Sequence, residues 1–358
     1  MPDTNRRLDI LVPHWQETAS EMEPLLDSIK LQRSVDFSQV GVIIAFDGPD
    51  AKELPLDEWR ERYPFAIEDV HPEKGGVSHA RNAALDASKA DYIQYSDADD
   101  CLLDVCGMYI IFREMDMSPN QRDIAMFAIP KEEQAPGFDF LISNFREETK
   151  DPNGNLIYVP HEMDSTFVHG KVARRQWLID NDIRFCDSVR IHEDSCWVTT
   201  CRAVAKPYRS KYNPTPYVLW CWRNGSVCRS EKYILRTMPD LLMSNEVLVD
   251  GLIKRGLSDQ AARYFVMVTW ESYFTLNKAE WRESENKEYF DTLECKFASY
   301  FRRRRDLWDS VGEHEKVVIS QSVRQRQVME GMLMEALTID QWLDRILEKY
   351  PEETQDIA

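Results

Sequence analysis

In the first hundred residues, short β-branched runs alternate with segments of helical periodicity, a pattern that calls for crossover units wound on a mainly parallel sheet. Leu8-Asp9-Ile10-Leu11-Val12 reads as a strand that meets Pro13, and Glu17 to Leu31 then carries Met22, Leu25, Leu26 and Ile29 at helical spacing. Val40–Phe46 reads as a second strand closed by the turn signal Asp47-Gly48-Pro49, and Phe65–Val70 as a third. After the Gly75-Gly76 break, Val77–Lys89 spaces Ala80, Ala83, Ala84 and Ala87 so that a helix can pack close to a sheet. Asp91–Tyr95 is expected to be the next strand.

Further on, Ile124–Ile129, Phe138–Ser143 and Asn155–Pro160 are expected as shorter strands, with Asp151-Pro152-Asn153-Gly154 as a turn. Helical patterns follow at Lys171–Asn181 and Asp194–Ala205, and the aromatic segment Tyr217–Arg223 reads as extended. From about Ser230 strand signals vanish, and charged segments rich in Leu and Met predict a helical appendage broken near Gly256, Asn277 and Gly312, with a frayed tail over Pro351–Ala358. The expected organisation is an α/β domain over residues 1–230 and a helical region over 231–358.

Composition narrows the class. A chain of 358 residues that is 43% hydrophobic has the apolar content to fold, which a disordered chain lacks. No apolar stretch approaches the ~20 residues of a membrane-spanning helix, and Met1-Pro2-Asp3-Thr4-Asn5-Arg6-Arg7 runs into Asp9 without the apolar core of a signal peptide, so the expected location is cytoplasmic. The eight cysteines contain no C-x-x-C pair and read as free thiols. A formal charge of −18 disfavours bulk attraction to nucleic acid, although a local basic groove is compatible with it.

Four clusters can carry chemistry. Ser96-Asp97-Ala98-Asp99-Asp100 follows a strand at its carboxyl end, where open α/β sheets place ligands. If the segment is extended, Asp97 and Asp99 point the same way and present two carboxylates to one Mn²⁺ or Mg²⁺ and a diphosphate. A solvated acidic turn is the plain alternative. His192-Glu193-Asp194 stands before a helical run, where carboxylates favour the helix dipole or supply a general base. Gly75-Gly76-Val77-Ser78-His79-Ala80-Arg81-Asn82 offers free amides and a forked donor to an anion, or is a simple loop-to-helix turn. In Trp220-Cys221-Trp222-Arg223-Asn224-Gly225-Ser226, the rings either flank a sugar or phosphate or pack in a core.

The order of these clusters closely resembles the family 2 glycosyltransferases of GT-A fold over residues 8–230: Pro13 and Glu17, Asp47 after the second strand, Gly-x-x-x-Ala-Arg-Asn, Asp97-x-Asp99-Asp100, then Glu193-Asp194. The resemblance implies a nucleotide-sugar donor, a UDP-sugar favoured, a divalent metal, and inverting transfer to an acceptor hydroxyl. It implies that Pro13, Glu17, Asp47, Arg81 and Asp97 bind the donor, that Asp99 and Asp97 hold the metal, and that Asp194, supported by Glu193, is the catalytic base. Lys171, Trp220, Arg223 and Ser226 would contact acceptor or diphosphate. The opening Pro13-His14-Trp15-Gln16 departs from the family's usual Pro-x-Tyr-Asn.

A surface glycan or wall polymer is the expected acceptor. Phage-type transfer to hydroxymethylated DNA bases is an alternative, with Arg302-Arg303-Arg304-Arg305 as its dense basic run. A nucleotidyltransferase would carry a glycine-rich loop after the first strand, and Pro13–Glu17 has no glycine. A non-catalytic sugar-binding scaffold would have little use for both acidic clusters.

Overall fold

The computed structural model describes residues 6–161, 166–223, 233–277, 287–326 and 338–351. The chain divides into two compact units, Met1–Glu231 and Lys232–Ala358.

The first unit begins with β1 (Leu8–His14), α1 (Ala19–Lys30), β2 (Val40–Phe46), α2 (Leu56–Arg62), β3 (Ala66–Val70), α3 (Val77–Ala87) and β4 (Tyr92–Tyr95). β1 lies parallel to β2 and β4, with Leu8 opposite both Val40 and Tyr92, and β2 lies parallel to β3. Side chains alternate along a strand, so Leu8, Ile10 and Val12 join Met22, Leu25, Leu26 and Ile29 of α1 on one face. Leu11 packs with Ala80, Ala84 and Leu85 of α3 on the other. Apolar cover on both faces explains why β2 is buried along its whole length. α1 starts at a capping box in which Thr18 and Glu21 satisfy each other's backbone amides.

The unit continues through β5 (Cys101–Leu102), α4 (Gly107–Asp116), α5 (Gln121–Phe127), β6 (Phe140–Lys150), β7 (Leu156–His161), β8 (Lys171–Arg174), α6 (Arg175–Asp180), α7 (Glu193–Val204) and β9 (Ser210–Trp220). One sheet has the order β3-β2-β1-β4-β8-β6-β9-β5, with β7 paired to β6. β8 is antiparallel to both β4 and β6, while β6 and β9 run parallel. The result is the expected mixed sheet flanked by helices.

Two local expectations are corrected. Ile124–Ile129 does not form a strand: Asn120 and Asp123 make a capping box that starts α5 through Phe127. The helix expected over Lys171–Asn181 begins only at Arg175, because Lys171–Arg174 is captured as β8 between β4 and β6. Local helical spacing there yields to the two ladders that the chain completes.

In the second unit, helices span Tyr233–Lys254, Ser258–Leu276, Lys287–Arg303, Arg305–Ser310, Glu313–Arg326 and Ile339–Lys349. Gly256 falls between the first two, Asn277 caps the second and Gly312 precedes Glu313. Phe265 stacks on Phe301, and Phe297 on Trp342, at the centre of a core of its own. The tail after Pro351 lies outside the described residues. No described helix is long and apolar enough to cross a membrane.

Candidate functional site

At the carboxyl end of β4 the chain turns: the Ser96 amide bonds Leu11 O, and the Asp100 amide bonds Asp97 O at 3.2 Å. This turn replaces the extended segment expected over the acidic cluster. Asp97 and Asp100 are the two carboxylates of the group that converges there, and Asp99 feels the charge of both. His169 completes the group, with ligand atoms of all three within 4.8 Å of one another. Its Nε2 is 2.8 Å from Asp100 and 3.7 Å from Asp97. Phe145 and Trp220 stack on the His169 ring at centroid distances of 5.2 and 5.4 Å. Gly170, at φ +70°, allows the chain to pass Ser143 O, which a β-carbon would meet at 2.8 Å.

Burial opposes charge on His169, but the facing Asp100 and Asp97 outweigh it and raise its pKa. Burial pushes Asp100 up, against the pull of His169. It works the same way on Asp97, where Arg81 and His169 overcome it and hold the carboxyl below its usual range.

Arg81 lies on α3, and its guanidinium is buried. One nitrogen donates to Glu193 at 2.7 Å and another to Asp97 at 2.8 Å, while the group lies 4.9 Å over the Phe185 ring. Glu193 and Asp194 open α7 immediately after His192, which holds φ at +70°. That left-handed residue is strained for a non-glycine. It turns the chain so that the helix starts on the acidic pair. Burial, and then the Asp194 charge, push Glu193 up to about 7 against the pull of Arg81. Asp194 accepts the Ser195 amide at 2.7 Å.

A third connection runs from the opening loop. Glu17 accepts the Trp15 amide and lies 3.2 Å from the His14 ring and 3.3 Å from Arg223. Burial opposes its charge, but these donors hold Glu17 at about 2. Arg223 also reaches Asp99 at 3.1 Å. Burial, together with Asp100 and Asp97, still pushes Asp99 up to about 7.

Asp47, after β2, accepts the amides of both Gly75 and Gly76 at 2.9 Å and so fixes the loop that leads into α3. Gly76 adopts φ +86° at the start of that helix. Pro13 lies in the part of β1 that extends beyond β4, opposite Ala45 of β2, where its missing amide breaks no β1–β4 pair. Lys171 is buried, its ammonium 5.5 Å over the Phe145 ring. Trp220 closes β9 against His169. Ser226 lies outside the described residues.

The resemblance places His169-Gly170-Lys171 near the acceptor and diphosphate, but it assigns neither His169 nor Asp100 to the metal. No local signal brings His169 to Asp100, because only the β8 ladder carries it to the turn after β4.

Residues 9–178 match the family model for glycosyl transferase family 2. Those residues form a family 2 glycosyltransferase domain.

The chain is also 27% identical over 184 residues to the minor teichoic acid biosynthesis protein GgaB of Bacillus subtilis strain 168. The aligned part is 50% of this chain but only 19% of GgaB, so the chain spans about a fifth of that relative's length. Among solved structures, S. aureus TarS 1-349 in complex with UDP superposes at a TM-score of 0.55 with 13% identity, covering 91% of this chain and 95% of that one. The same TarS segment in complex with UDP-GlcNAc gives 0.56 and 16%, over 90% and 92%. At these identities the likeness establishes the shared GT-A fold.

Proposed function

We propose that the glycosyltransferase domain moves a sugar from a nucleotide-diphosphate sugar, a UDP-sugar, to an acceptor hydroxyl by inverting displacement. The observation that carries this reading is the Arg81 fork. It brings the acidic turn after β4 and the acidic pair at the start of α7 to one point, as a donor and an incoming hydroxyl require. The UDP and UDP-GlcNAc complexes of TarS, which shares the fold, favour a uridine donor.

The residues fit a divalent cation. Asp97, Asp100 and His169 offer two carboxylate oxygens and an imidazole nitrogen converging on one point. That donor set suits Mn²⁺, and Mg²⁺ if waters complete its shell. Asp99, lifted by burial and by its acidic neighbours, gains from any cation placed beside it. When bound, the ion would supply Lewis-acid stabilisation of the departing diphosphate.

The chain's own groups do the rest. Asp194 takes the proton from the acceptor hydroxyl, within the ~10²–10⁴-fold range of general-base catalysis. Glu193 is held by Arg81 and supports Asp194. Pro13, Glu17 and Asp47 border the nucleotide, Asp47 by shaping the Gly75-Gly76 loop. Arg223 and Lys171 supply positive charge to the diphosphate side, and Trp220 offers its ring to a sugar.

A surface glycan or wall polymer is the proposed acceptor, supported by the name GgaB carries. The arginine run offers less to DNA than its composition suggests. Arg303 pairs with Glu246, Arg304 with Asp250 at 2.6 Å, Arg305 lies 3.6 Å from Asp309, and Arg302 donates to Leu347 O. We assign acceptor selection or self-association to the helical unit, which builds its own core. A panel of UDP-, GDP- and other nucleotide-sugars with Mn²⁺, read as slow nucleotide release, tests the donor class. Release from a UDP-sugar supports the reading; release confined to another nucleotide would overturn the uridine assignment.

A further inference from the structure

Cys101 and Cys221 stand 120 residues apart in the chain, yet their Sγ atoms lie 3.8 Å from each other. Both residues are half-buried and neither is in a disulfide. Cys101 opens β5 directly after Asp100 and sits opposite Leu219 of β9. Cys221 is two residues beyond Leu219, and a period of two returns its side chain to the same face. The backbone around this contact belongs to the acidic turn: the Cys221 amide donates to Asp100 at 3.0 Å, and the Trp222 amide to Glu148 at 2.9 Å. Arg223 then reaches Asp99 and Glu17.

We propose that Cys101 and Cys221 form a reversible thiol–disulfide pair whose closure displaces the segment Cys221–Arg223 and weakens the donor site. The oxidant is a small-molecule disulfide. One protein thiol, having lost its proton, attacks a sulfur of the reagent and forms a mixed disulfide, releasing one small thiol. The second protein thiol gives up its proton, attacks the mixed disulfide and releases the other small thiol. The protein pair is oxidised by two electrons, and one reagent disulfide becomes two thiols.

Closure must bring the sulfurs from 3.8 Å to ~2.05 Å. The segment that gives way carries the amide held by Asp100 and, two residues on, the guanidinium held by Asp99. A misplacement of ~1 Å in a catalytic site can cost ~10²-fold in rate.

The formation of the bond stands on geometry alone, whereas its effect on donor binding rests on the proposed function. The test treats the full chain with oxidised glutathione, blocks remaining thiols by alkylation, and maps peptides without reduction. UDP affinity with Mn²⁺ is measured by calorimetry before oxidation, after it and after re-reduction. The expected result is a linked Cys101–Cys221 peptide, UDP affinity weakened at least fivefold and restored by reductant, and no such change in Cys101→Ser or Cys221→Ser. Glutathione on exposed Cys106 with no linked peptide would overturn the pair. A linked peptide with unchanged UDP affinity would overturn the coupling. The map decides the pair whatever the chain binds, so a reduced chain that ignores UDP counts against the donor reading instead.

Discussion

Arg81 holds Glu193 at 2.7 Å and Asp97 at 2.8 Å with separate nitrogens of one buried guanidinium. A planar fork can satisfy two carboxylates at once, and a lysine ammonium on a flexible stem cannot reproduce it. The two acidic clusters are thus positioned by one residue of α3.

Arg81→Lys should therefore disturb both ends. Losing one partner of a buried charge pair costs ~3–5 kcal/mol, so urea unfolding should register a loss of ~3 kcal/mol, with UDP-sugar turnover down at least tenfold. A variant with wild-type stability and turnover would show that the fork holds nothing in place.

Asp99→Ala removes the carboxylate that faces Arg223 and lies beside Asp97 and Asp100. UDP binding that strengthens with Mn²⁺ in the wild type should lose that dependence in the variant. Calorimetry with and without Mn²⁺ decides it, and an unchanged Mn²⁺ effect would count against Asp99.

Glu17 sets a pH dependence. Its folded-state value of about 2 lies below the ordinary 4.5. The ionised form is thus favoured by folding, and its contribution is complete above about pH 4.5 and lost as pH falls through about 2. The stability gap between wild type and Glu17→Gln should stay constant from pH 8 to 5 and narrow below 4.5. Urea titrations at pH 7, 5 and 3.5 measure it; a gap that persists undiminished at pH 3.5 contradicts the account.

Gly170→Ala places a β-carbon against Ser143 O at φ +70°. The expected cost is ~1–3 kcal/mol in thermal or urea unfolding, with weaker UDP binding because His169 and Lys171 flank the glycine. Unaltered stability would mean that the turn accommodates a side chain.

What the sequence made legible follows from the range of its physics. β2 was readable to the residue because seven apolar positions end at Asp47-Gly48-Pro49, and α3 because alanines follow a glycine pair. β8 was not readable, since its four residues become strand only by pairing with β4 and β6. The site divides the same way. Arg81, Asp97, Glu193 and Asp194 stand in short motifs whose order is informative. His169 beside Asp100, and Cys101 beside Cys221, are contacts of the folded sheet with no local trace. The turn at Asp97–Asp100 shows the intermediate case: its residues were identified, but their direction depended on one backbone hydrogen bond.

The central claim is that Asp194 receives a proton from an acceptor at a site that binds a UDP-sugar. The most direct measurement compares wild type and Asp194→Asn for transfer or slow hydrolysis of the preferred UDP-sugar, alongside UDP affinity by calorimetry. The account predicts turnover reduced by ~10²–10⁴-fold with UDP affinity within threefold of wild type. Robust turnover by Asp194→Asn would contradict it.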